Sequence, residues 1–304
     1  MALTCRRGEN RFACALWSLG LFALLLSLCA CSPRHLIVQG VGNELASHGS
    51  APEEDRQLAR EASAFYLKLS ESILREEPGN LRLAAAVAGG FTQYAYAFVA
   101  FEAERIESKD ARAAQKMRER AARLYRRAHG HAMAALERRT PGFARALANP
   151  DPKKWPVIPD GQVGVAYWAA ASWGGLIALS KDDPEIVADL PLAIRLAGIA
   201  WAKAPDFGEG TLASLMGTFE AARPGGSSTR ATTYFDQAIS AGGGQNAAVF
   251  VAKAEAIALP AGERAAFEVL LREALAAAAN RYDLQNEFMR ERAQWLLDSA
   301  DDLF

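Results

Sequence analysis

The chain has 304 residues, of which 51% are hydrophobic and 23% charged, and its formal net charge is −1 at pH 7. Proteins that bind nucleic acids through bulk charge carry a clear excess of basic residues, so this balance argues against a nucleic-acid partner. The length is ample for a hydrophobic core that folds without disulfides.

The first 30 residues have the pattern of a bacterial lipoprotein signal peptide. Three arginines precede an apolar run over residues 12–30. Residues 28–32 read Leu-Cys-Ala-Cys-Ser, in which an apolar residue, a small residue and then Cys31 form a lipobox. We therefore expect cleavage before Cys31 and diacylation of its sulfur. The alternatives are an uncleaved signal anchor and a plain secretory signal, since the run is about long enough to span a bilayer.

Cysteine usage supports the lipoprotein interpretation. Three of the four cysteines lie in the leader, and the fourth is Cys31. The mature chain would contain no other thiol, so we predict no disulfide, no cysteine metal site and no cysteine nucleophile. Two acyl chains anchor a protein stably, whereas one chain gives marginal membrane binding.

These features predict a periplasmic protein on a lipid anchor. A serine rather than an aspartate follows Cys31, which favours the inner leaflet of the outer membrane in a Gram-negative cell. Residues 31–52 contain Gly, Ser, Asn and His without long periodicity. We interpret them as a tether that reaches on the order of 25 Å, which would hold the folded body off the bilayer.

From Glu53 onward every periodic segment is helical, which predicts a single all-α domain over residues 53–304. Proline and glycine fall between the segments, and β-branched residues are sparse. The predicted helices are approximately Glu53–Glu76, Leu81–Ile106, Lys109–Arg139, Phe143–Leu147, a helix that includes Tyr167, then Glu185–Lys203, Gly210–Ala222, Thr229–Ala241, Gln245–Leu259, Glu263–Ala278 and Gln285–Leu303. In the first of them the apolar residues recur at i+3 and i+4: Leu58, Ala62, Phe65, Tyr66, Leu69 and Ile73.

A weak internal period runs through the second half of the chain. Similar alanine-rich segments end at Pro205, Gly242 and Ala277, roughly every 36–38 residues, which is close to the 34-residue tetratricopeptide unit. Each unit would be a helical hairpin that buries its apolar face by stacking on the next hairpin. The pattern predicts stacked helical hairpins in a tetratricopeptide-like solenoid or bundle. An alanine-rich bundle with a chance period is the alternative.

The stretch from Tyr167 to Pro184 combines large aromatic rings with very small residues. Tyr167, Trp168 and Trp173 lie among alanines, a serine and the pair Gly174-Gly175. Glycine in a helix interior costs roughly 1 kcal/mol relative to alanine, so the pair requires a packing reason. Small residues allow a neighbouring helix to approach closely.

The same stretch ends in a predicted corner between two helices. This corner is formed by Lys181, Asp182, Asp183 and Pro184. Asp183 is a favourable N-cap and Pro184 a favourable first helical residue, so the next helix is expected to begin at once.

No catalytic constellation is present in the sequence, so we predict a protein that is not an enzyme and that uses no cofactor. His129 and His131 are two residues apart on a helix and point to different sides, so they cannot share a metal ion. Glu102, Glu104 and Glu107 are interpreted as a solvated helix face. The arginine-rich face of the third helix could hold an acidic partner or lipid headgroups, but a solvated face with intramolecular ion pairs is favoured.

Aromatic density is the remaining feature of interest. It comes from two helices predicted to be central, and the candidate residues are Gln93, Tyr94, Tyr96, Phe98, Tyr167, Trp168 and Trp173. Most such rings belong to a plain core, yet rings beside a few polar groups also line apolar ligand cavities. Both interpretations remain open from the residues alone.

Several motifs together resemble the T component of TRAP transporters (the TatT family), which are lipoproteins with a tetratricopeptide-like body. Besides the lipobox at Cys31, the motifs are Phe65–Leu74, Gly90–Val99, Pro141–Phe143, Tyr167–Gly174, Leu179–Pro184, Ala221–Gly225 and Arg290–Phe304. The resemblance covers nearly the whole mature chain.

The resemblance implies a protein that works beside the periplasmic solute-binding protein of a TRAP transporter, as a homotrimer. It also implies a cavity or channel in each protomer for an apolar or amphiphilic organic acid. The alternative functions are an envelope tetratricopeptide scaffold without a small-molecule ligand and an enzyme that acts on cell-wall material.

Overall fold

Helices are the regular elements throughout residues 55–281 and 283–304, which are the residues that the computed structural model describes. No strand occurs in these residues, so the predicted all-α class is confirmed. The predicted signal peptide, Cys31 and the tether over residues 31–52 lie outside them.

Most predicted helices are present with small changes of bounds. They are α1 Arg56–Glu76, α2 Leu81–Ile106 with a π-helical turn at Tyr96–Ala100, α3 Ala111–Arg139, α4 Phe143–Leu147, α5 Val163–Ala178, α6 Pro184–Val187, α7 Leu190–Lys203, α8 Thr211–Ala222, α9 Ser228–Ala241, α10 Ala247–Lys253 continued by a π-helical turn at Ala254–Ala258, α11 Arg264–Asn280, α12 Leu284–Asp298 and α13 Ala300–Leu303. Short 3₁₀ turns at Pro152–Lys154 and Asp160–Gln162 lie in the proline-rich loop before α5.

The corner after α5 has the expected capping chemistry. The Asp183 side chain accepts hydrogen bonds from the backbone N–H groups of Glu185 and Ile186, and Pro184 is the first residue of α6. The single helix predicted over Glu185–Lys203 is wrong, because the chain breaks between α6 and α7. Pro191 has no N–H, and its ring would clash with a carbonyl four residues earlier in a continuous helix.

Helix contacts follow chain order through much of the molecule. The helices α2, α3 and α5 pack against one another, and α5 also packs against α7. Further on, α8 packs on α9, α10 on α11 and α11 on α12, as sequential hairpins do. The tetratricopeptide-like solenoid itself stays a prediction.

The glycines of the central helices have a packing reason. A Cβ atom on Gly175 would lie 2.7 Å from the ring of buried Tyr125, and one on Gly174 would lie 2.8 Å from the ring of Phe219. A Cβ atom on Gly89 of α2 would lie 2.5 Å from the indole of Trp168 on α5. Aromatic rings therefore pack directly on backbone where these helices meet.

The second helix, α2, is long and apolar enough to cross a membrane by length and composition. Its most apolar window is 67% buried inside the protein, however, which is the environment of a core helix. The sequence-based expectation that this segment lies at the centre of the domain agrees with that burial.

The first helix leaves an apolar stripe on the molecular surface. Leu58, Phe65, Tyr66 and Leu69 are between 36% and 67% exposed. The helix instead buries Ala59, Leu67 and Leu74 against the body. We call the four exposed residues Leu58, Phe65, Tyr66 and Leu69 the α1 stripe.

Candidate functional site

One face of α5 is accessible although the helix is apolar on all sides. The accessible or half-buried residues recur at i+3 and i+4 spacing: Gly164, Tyr167, Trp168, Ala171, Gly174, Gly175 and Ala178. Every other residue of α5 is buried. Since residues at this spacing share one face of a helix, they form a continuous stripe of rings and small apolar groups, which we call the α5 face.

A matching face lies on α2, which packs against α5. Gly89, Gln93 and Tyr96 occur at i, i+4 and i+7 and therefore share a side of the helix. Gly89 lies under the Trp168 ring, whereas Gln93 is exposed and Tyr96 is half-buried. Gln93 and Tyr96 thus lie on the side of α2 that meets Trp168 at Gly89, and both are more accessible than Gly89.

The other predicted cavity residues lie in the packed core. Tyr94 and Phe98 are buried with their ring centroids 5.1 Å apart, and Phe98 also packs edge-on against Phe288 of α12 at 4.7 Å. Trp173 is buried against His129 at 4.4 Å between ring centroids. The structure therefore places Gln93, Tyr96, Tyr167 and Trp168 on accessible faces and separates them from the remaining three residues.

Tyr96 belongs to a second group of residues that the sequence reasoning missed. The guanidinium carbon of Arg292 on α12 lies 5.3 Å from the centre of the Tyr96 ring and 5.1 Å from that of Phe101. Its Nη2 and Nε atoms donate to the carboxylate of Glu255 on α10 at 2.5 and 3.2 Å. Its Nη2 atom also lies 3.0 Å from the Glu104 carboxylate. We call these five residues the Arg292 cluster.

Both π-helical turns in the described part of the chain contribute to the Arg292 cluster. Tyr96 begins the turn in α2, and Glu255 lies in the turn that continues α10. A π turn adds one residue to a helical turn, which redirects side chains, and such turns are frequent at functional sites. Their meeting at one buried side chain marks the cluster as a candidate site.

Charge and burial define what the cluster can do chemically. Arg292 is 6% exposed, and its Nη1 atom has no hydrogen-bond acceptor among the described residues. Burial raises the pKa of Glu104 above its ordinary value, and it also raises the pKa of Tyr96, so the phenol keeps its proton. The cluster can hold helices together and can donate hydrogen bonds to an oxygen atom.

The glutamates at the end of α2 are not simply a solvated face. Glu104 pairs with buried Arg292, Glu102 lies 3.6 Å from Arg105, and Glu107 pairs with Arg118 of α3. The solvated-face interpretation is corrected for Glu104, whose partner lies far along the chain, whereas Glu102 and Glu107 remain partly exposed.

A second ion-pair group fastens α1 to α3. The Glu71 carboxylate, 5% exposed, binds Arg127, His131 at 2.8 Å and Lys68 at 2.7 Å. Burial alone would raise the pKa of Glu71, but the hydrogen bonds from these three side chains lower it to about 2. Part of the arginine-rich face of α3 therefore makes intramolecular pairs.

The two histidines of α3 have different surroundings. His131 faces Glu71, whereas Nδ1 of His129 lies 3.0 Å from the carbonyl oxygen of Ala169, and burial lowers the His129 pKa. Among residues 55–281 and 283–304, no group of three or more His, Cys, Asp or Glu side chains could hold a metal ion.

A sequence signal for Arg292 does exist, although it is faint. On α12 the buried residues Met289, Ala293 and Leu296 recur at helical spacing, and Arg292 lies beside them on the same side. A single charge within a buried stripe indicates a partner elsewhere in the fold. Which residues supply that partner depends on tertiary contacts across some 190 residues of chain.

Comparisons with known proteins agree with the motif resemblance. The sequence model of the TRAP transporter T-component family matches residues 52–304. The chain is also similar to an uncharacterized protein of Treponema pallidum (strain Nichols), with 25% identity over 238 residues that cover 71% of this chain and 74% of that protein. The family match confirms the resemblance found from the motifs.

Proposed function

The chain belongs to the TRAP transporter T-component family, and we propose that it is a non-catalytic periplasmic lipoprotein that binds a TRAP solute-binding protein and a small apolar or amphiphilic ligand. The family is a transport-associated one, which gives this chain a role with TRAP transport in the cell envelope. The observation that supports the ligand is the accessible α5 face, together with Gln93 and Tyr96 on the side of α2 that meets Trp168 at Gly89.

The chemistry of this face suits an apolar ligand. Ligand cavities are concave and mostly apolar, with a few polar groups that fix orientation. Tyr167 and Trp168 supply rings, whose centroids are 4.7 Å apart, and Ala171 and Ala178 add small apolar groups to the same face. Gln93 supplies a polar group on the facing helix. We propose that the ligand binds or passes between these surfaces.

Two tryptophans of α5 provide a matched test of the cavity. Trp168 lies on the accessible face, whereas Trp173 is 7% exposed and packs in the core. We expect Trp168→Ala to lose ligand binding with a smaller loss of stability, and Trp173→Ala to lose mainly stability, because large-to-small changes cost most in a packed core. Thermal melts by circular dichroism and calorimetric titration with medium-chain amphiphiles measure the two effects.

The scaffold alternative predicts a different result in the binding experiment. A scaffold without a ligand would show no binding in the wild-type protein, and native mass spectrometry of protein purified from cells would detect no bound small molecule. If Trp168→Ala binds the amphiphiles as tightly as the wild type, the α5 face does not line the site.

The partner proposal is tested by co-purification. A tagged wild-type protein should retain the TRAP solute-binding protein of the same cell, with or without added ligand. Failure to retain it under both conditions counts strongly against the partner proposal and leaves the ligand proposal to its own test.

The lipid anchor is tested at Cys31. We expect Cys31→Ser to block lipidation of the exported protein, since the acylated sulfur is lost. Incorporation of radiolabelled palmitate measures this effect, and sucrose-gradient fractionation of the wild type checks the proposed outer-membrane location. Equal labelling of wild type and Cys31→Ser would contradict lipidation at that residue.

We also propose that the protein is a homotrimer and that the α1 stripe supplies the contact between copies. Exposed apolar residues scattered singly are normal, but a row along one helix marks an interaction surface. The resemblance to the family supplies the expectation of three copies, and the stripe supplies a surface on which to test it.

A further inference from the structure

We propose that the buried guanidinium of Arg292 binds an uncharged oxygen acceptor, such as the carbonyl or hydroxyl oxygen of an amphiphilic ligand. This inference rests on the proposed ligand cavity and specifies what the polar end of the ligand looks like. It concerns the Arg292 cluster, which adjoins the accessible face of α2 at Tyr96.

The first argument is the pattern of hydrogen bonds around Arg292. Nε and Nη2 donate to Glu255, and Nη2 also pairs with Glu104. The two remaining N–H groups of the guanidinium are both on Nη1, which is buried and has no acceptor among the described residues. Because a buried donor without an acceptor is costly, a side of the guanidinium left without a protein partner indicates a place for an oxygen atom from elsewhere.

The second argument is the position of the two rings beside the guanidinium. Phe101 is 2% exposed and fixed in the core, whereas Tyr96 is half-buried. We place the approach of the ligand to Nη1 on the Tyr96 side, because Tyr96 is the more exposed of the two rings. Tyr96 lies seven residues after Gly89, or about 10 Å along the helix, and Gly89 lies under Trp168. In this proposal the ligand spans the distance from the rings of the α5 face to Arg292.

The third argument is the backbone that positions the cluster. A π turn interrupts the regular i to i−4 hydrogen bonds of a helix, and a protein retains it where a side chain must be redirected. The turns at Tyr96–Ala100 and Ala254–Ala258 each direct one residue at Arg292. Simple helix packing does not require both irregular turns to meet at the same side chain.

Charge decides the class of acceptor. Glu104 and Glu255 already set two carboxylates around one guanidinium. A ligand carboxylate at Nη1 would be a third anion within a few ångströms, in surroundings that already raise the pKa of Glu104. A ketone, ester or alcohol oxygen accepts the same hydrogen bond without that repulsion. The site therefore favours a neutral headgroup over the organic acid that the family resemblance suggests.

A set of probes of equal chain length separates these possibilities. Residues 32–304, the predicted mature polypeptide without its lipidated Cys31, are equilibrated with 2-decanone, decane or decanoate, and bound probe is quantified by gas chromatography. We expect the wild type to bind 2-decanone at least about tenfold more tightly than decane and than decanoate, which is the order of a hydrogen bond to a charged donor.

Variants of the charged residues in the Arg292 cluster test their roles. Glu104→Gln with Glu255→Gln removes both anions, so decanoate should gain about tenfold and lose most of its disadvantage against the ketone. Adding Arg292→Met to this pair removes the donor, so 2-decanone should bind no better than decane. Arg105→Met is the control, because Arg105 also lies over Phe101, at 5.7 Å, but is 37% exposed and pairs at the surface. It should leave every preference unchanged.

The outcomes separate this inference from the proposed function. Equal binding of 2-decanone and decane by the wild type, or a ketone preference that survives in the triple variant, overturns the role of Arg292 and leaves the cavity in place. Preference of the wild type for decanoate overturns the neutral headgroup. No binding of any probe to the wild type rejects the proposed ligand function, and this inference with it. If the triple variant fails to fold, the decanoate gain in the double variant still tests the preference for a neutral headgroup.

Discussion

Two contacts between distant parts of this chain are built in opposite ways. At the centre, α5 meets α2, α3 and α8 through aromatic rings that lie on glycines, with no charge involved. At the junction where α12 returns to α2, a buried arginine lies between two carboxylates and two rings. We therefore expect an added methyl group to destabilise the central contact, and the removal of a charge to destabilise the junction.

The largest effect should follow from breaking the junction. Arg292→Met leaves Glu104 and Glu255 without their buried cation, and breaking such a pair costs about 3–5 kcal/mol of unfolding free energy. Urea unfolding followed by circular dichroism measures this loss. Arg105→Met removes a half-exposed arginine near the end of α2, which pairs with Glu291 at the surface, and should cost less than about 1 kcal/mol.

The rescue by charge balance is the sharper part of this test. The triple variant Arg292→Met with both glutamates changed to glutamine leaves no buried charge, so it should recover much of the stability lost in the single variant. If the single and triple variants are equally destabilised, packing rather than charge holds the junction, and the contrast with the centre is wrong.

Glu71 offers a second contact of the junction type, with a pH signature. Its pKa in the folded protein, about 2, is lower than its ordinary value of 4.5. The stabilisation is therefore fully present above about pH 4.5 and is lost as the pH falls towards 2. A shift of this size corresponds to roughly 3 kcal/mol. We expect Glu71→Gln to remove that part of the acid dependence, measured as wild type minus variant in urea unfolding at each pH.

Glu220→Gln is the control that separates a carboxylate joining two helices from one paired within its own stretch of chain. Glu220 also has a pKa of about 2, chiefly through its hydrogen bond with Arg223, but its partners lie within ten residues of it in the chain. Both variants should lose acid dependence, whereas only Glu71→Gln should make α1 sensitive to limited proteolysis. Equal protection of α1 in the two variants would show that Glu71 does not fasten this helix.

An added methyl group should damage the central contact. Alanine at position 175 places a Cβ atom 2.7 Å from the buried Tyr125 ring, and overpacking of this kind costs about 1–3 kcal/mol. The matched control is Gly130→Ala in α3, where a Cβ atom meets nothing within 4 Å, and which should gain about 0.5–1 kcal/mol. Thermal melts of the two variants should therefore shift in opposite directions. A stabilised Gly175→Ala protein would contradict the ring-on-glycine account.

The sequence predicted more of the central contact than of the junction, for a physical reason. Gly174 and Gly175 cost helix stability, so their presence indicated close packing before any partner was known. Asp183 and Pro184 act on neighbouring backbone, so local chemistry was enough to predict the corner. These signals lie within one stretch of chain.

The junction depends on long-range pairing that no local pattern encodes. Glu255 and Arg292 meet Tyr96 only after the intervening helices have packed, and both π turns interrupt helices that read as regular in the sequence. The aromatic pattern likewise identified Tyr94 and Tyr96 together, because both are rings in a central helix. Their different exposure follows from the two sides of α2 that they occupy.

The smallest effect on folding should come from the α1 stripe, which belongs to neither contact. Phe65 is 67% exposed, so Phe65→Asp should change the unfolding free energy of the monomer by no more than about 0.5 kcal/mol. If the stripe joins three copies, the same change should dissociate them, because a buried aspartate without a partner opposes association. Sedimentation velocity of residues 32–304 at micromolar concentration measures the mass. Val269→Asp, at a half-exposed valine on α11, should leave the trimer intact. A monomeric mass for the wild type would contradict the homotrimer. A Phe65→Asp protein that is still trimeric would show that the α1 stripe does not form the contact between copies.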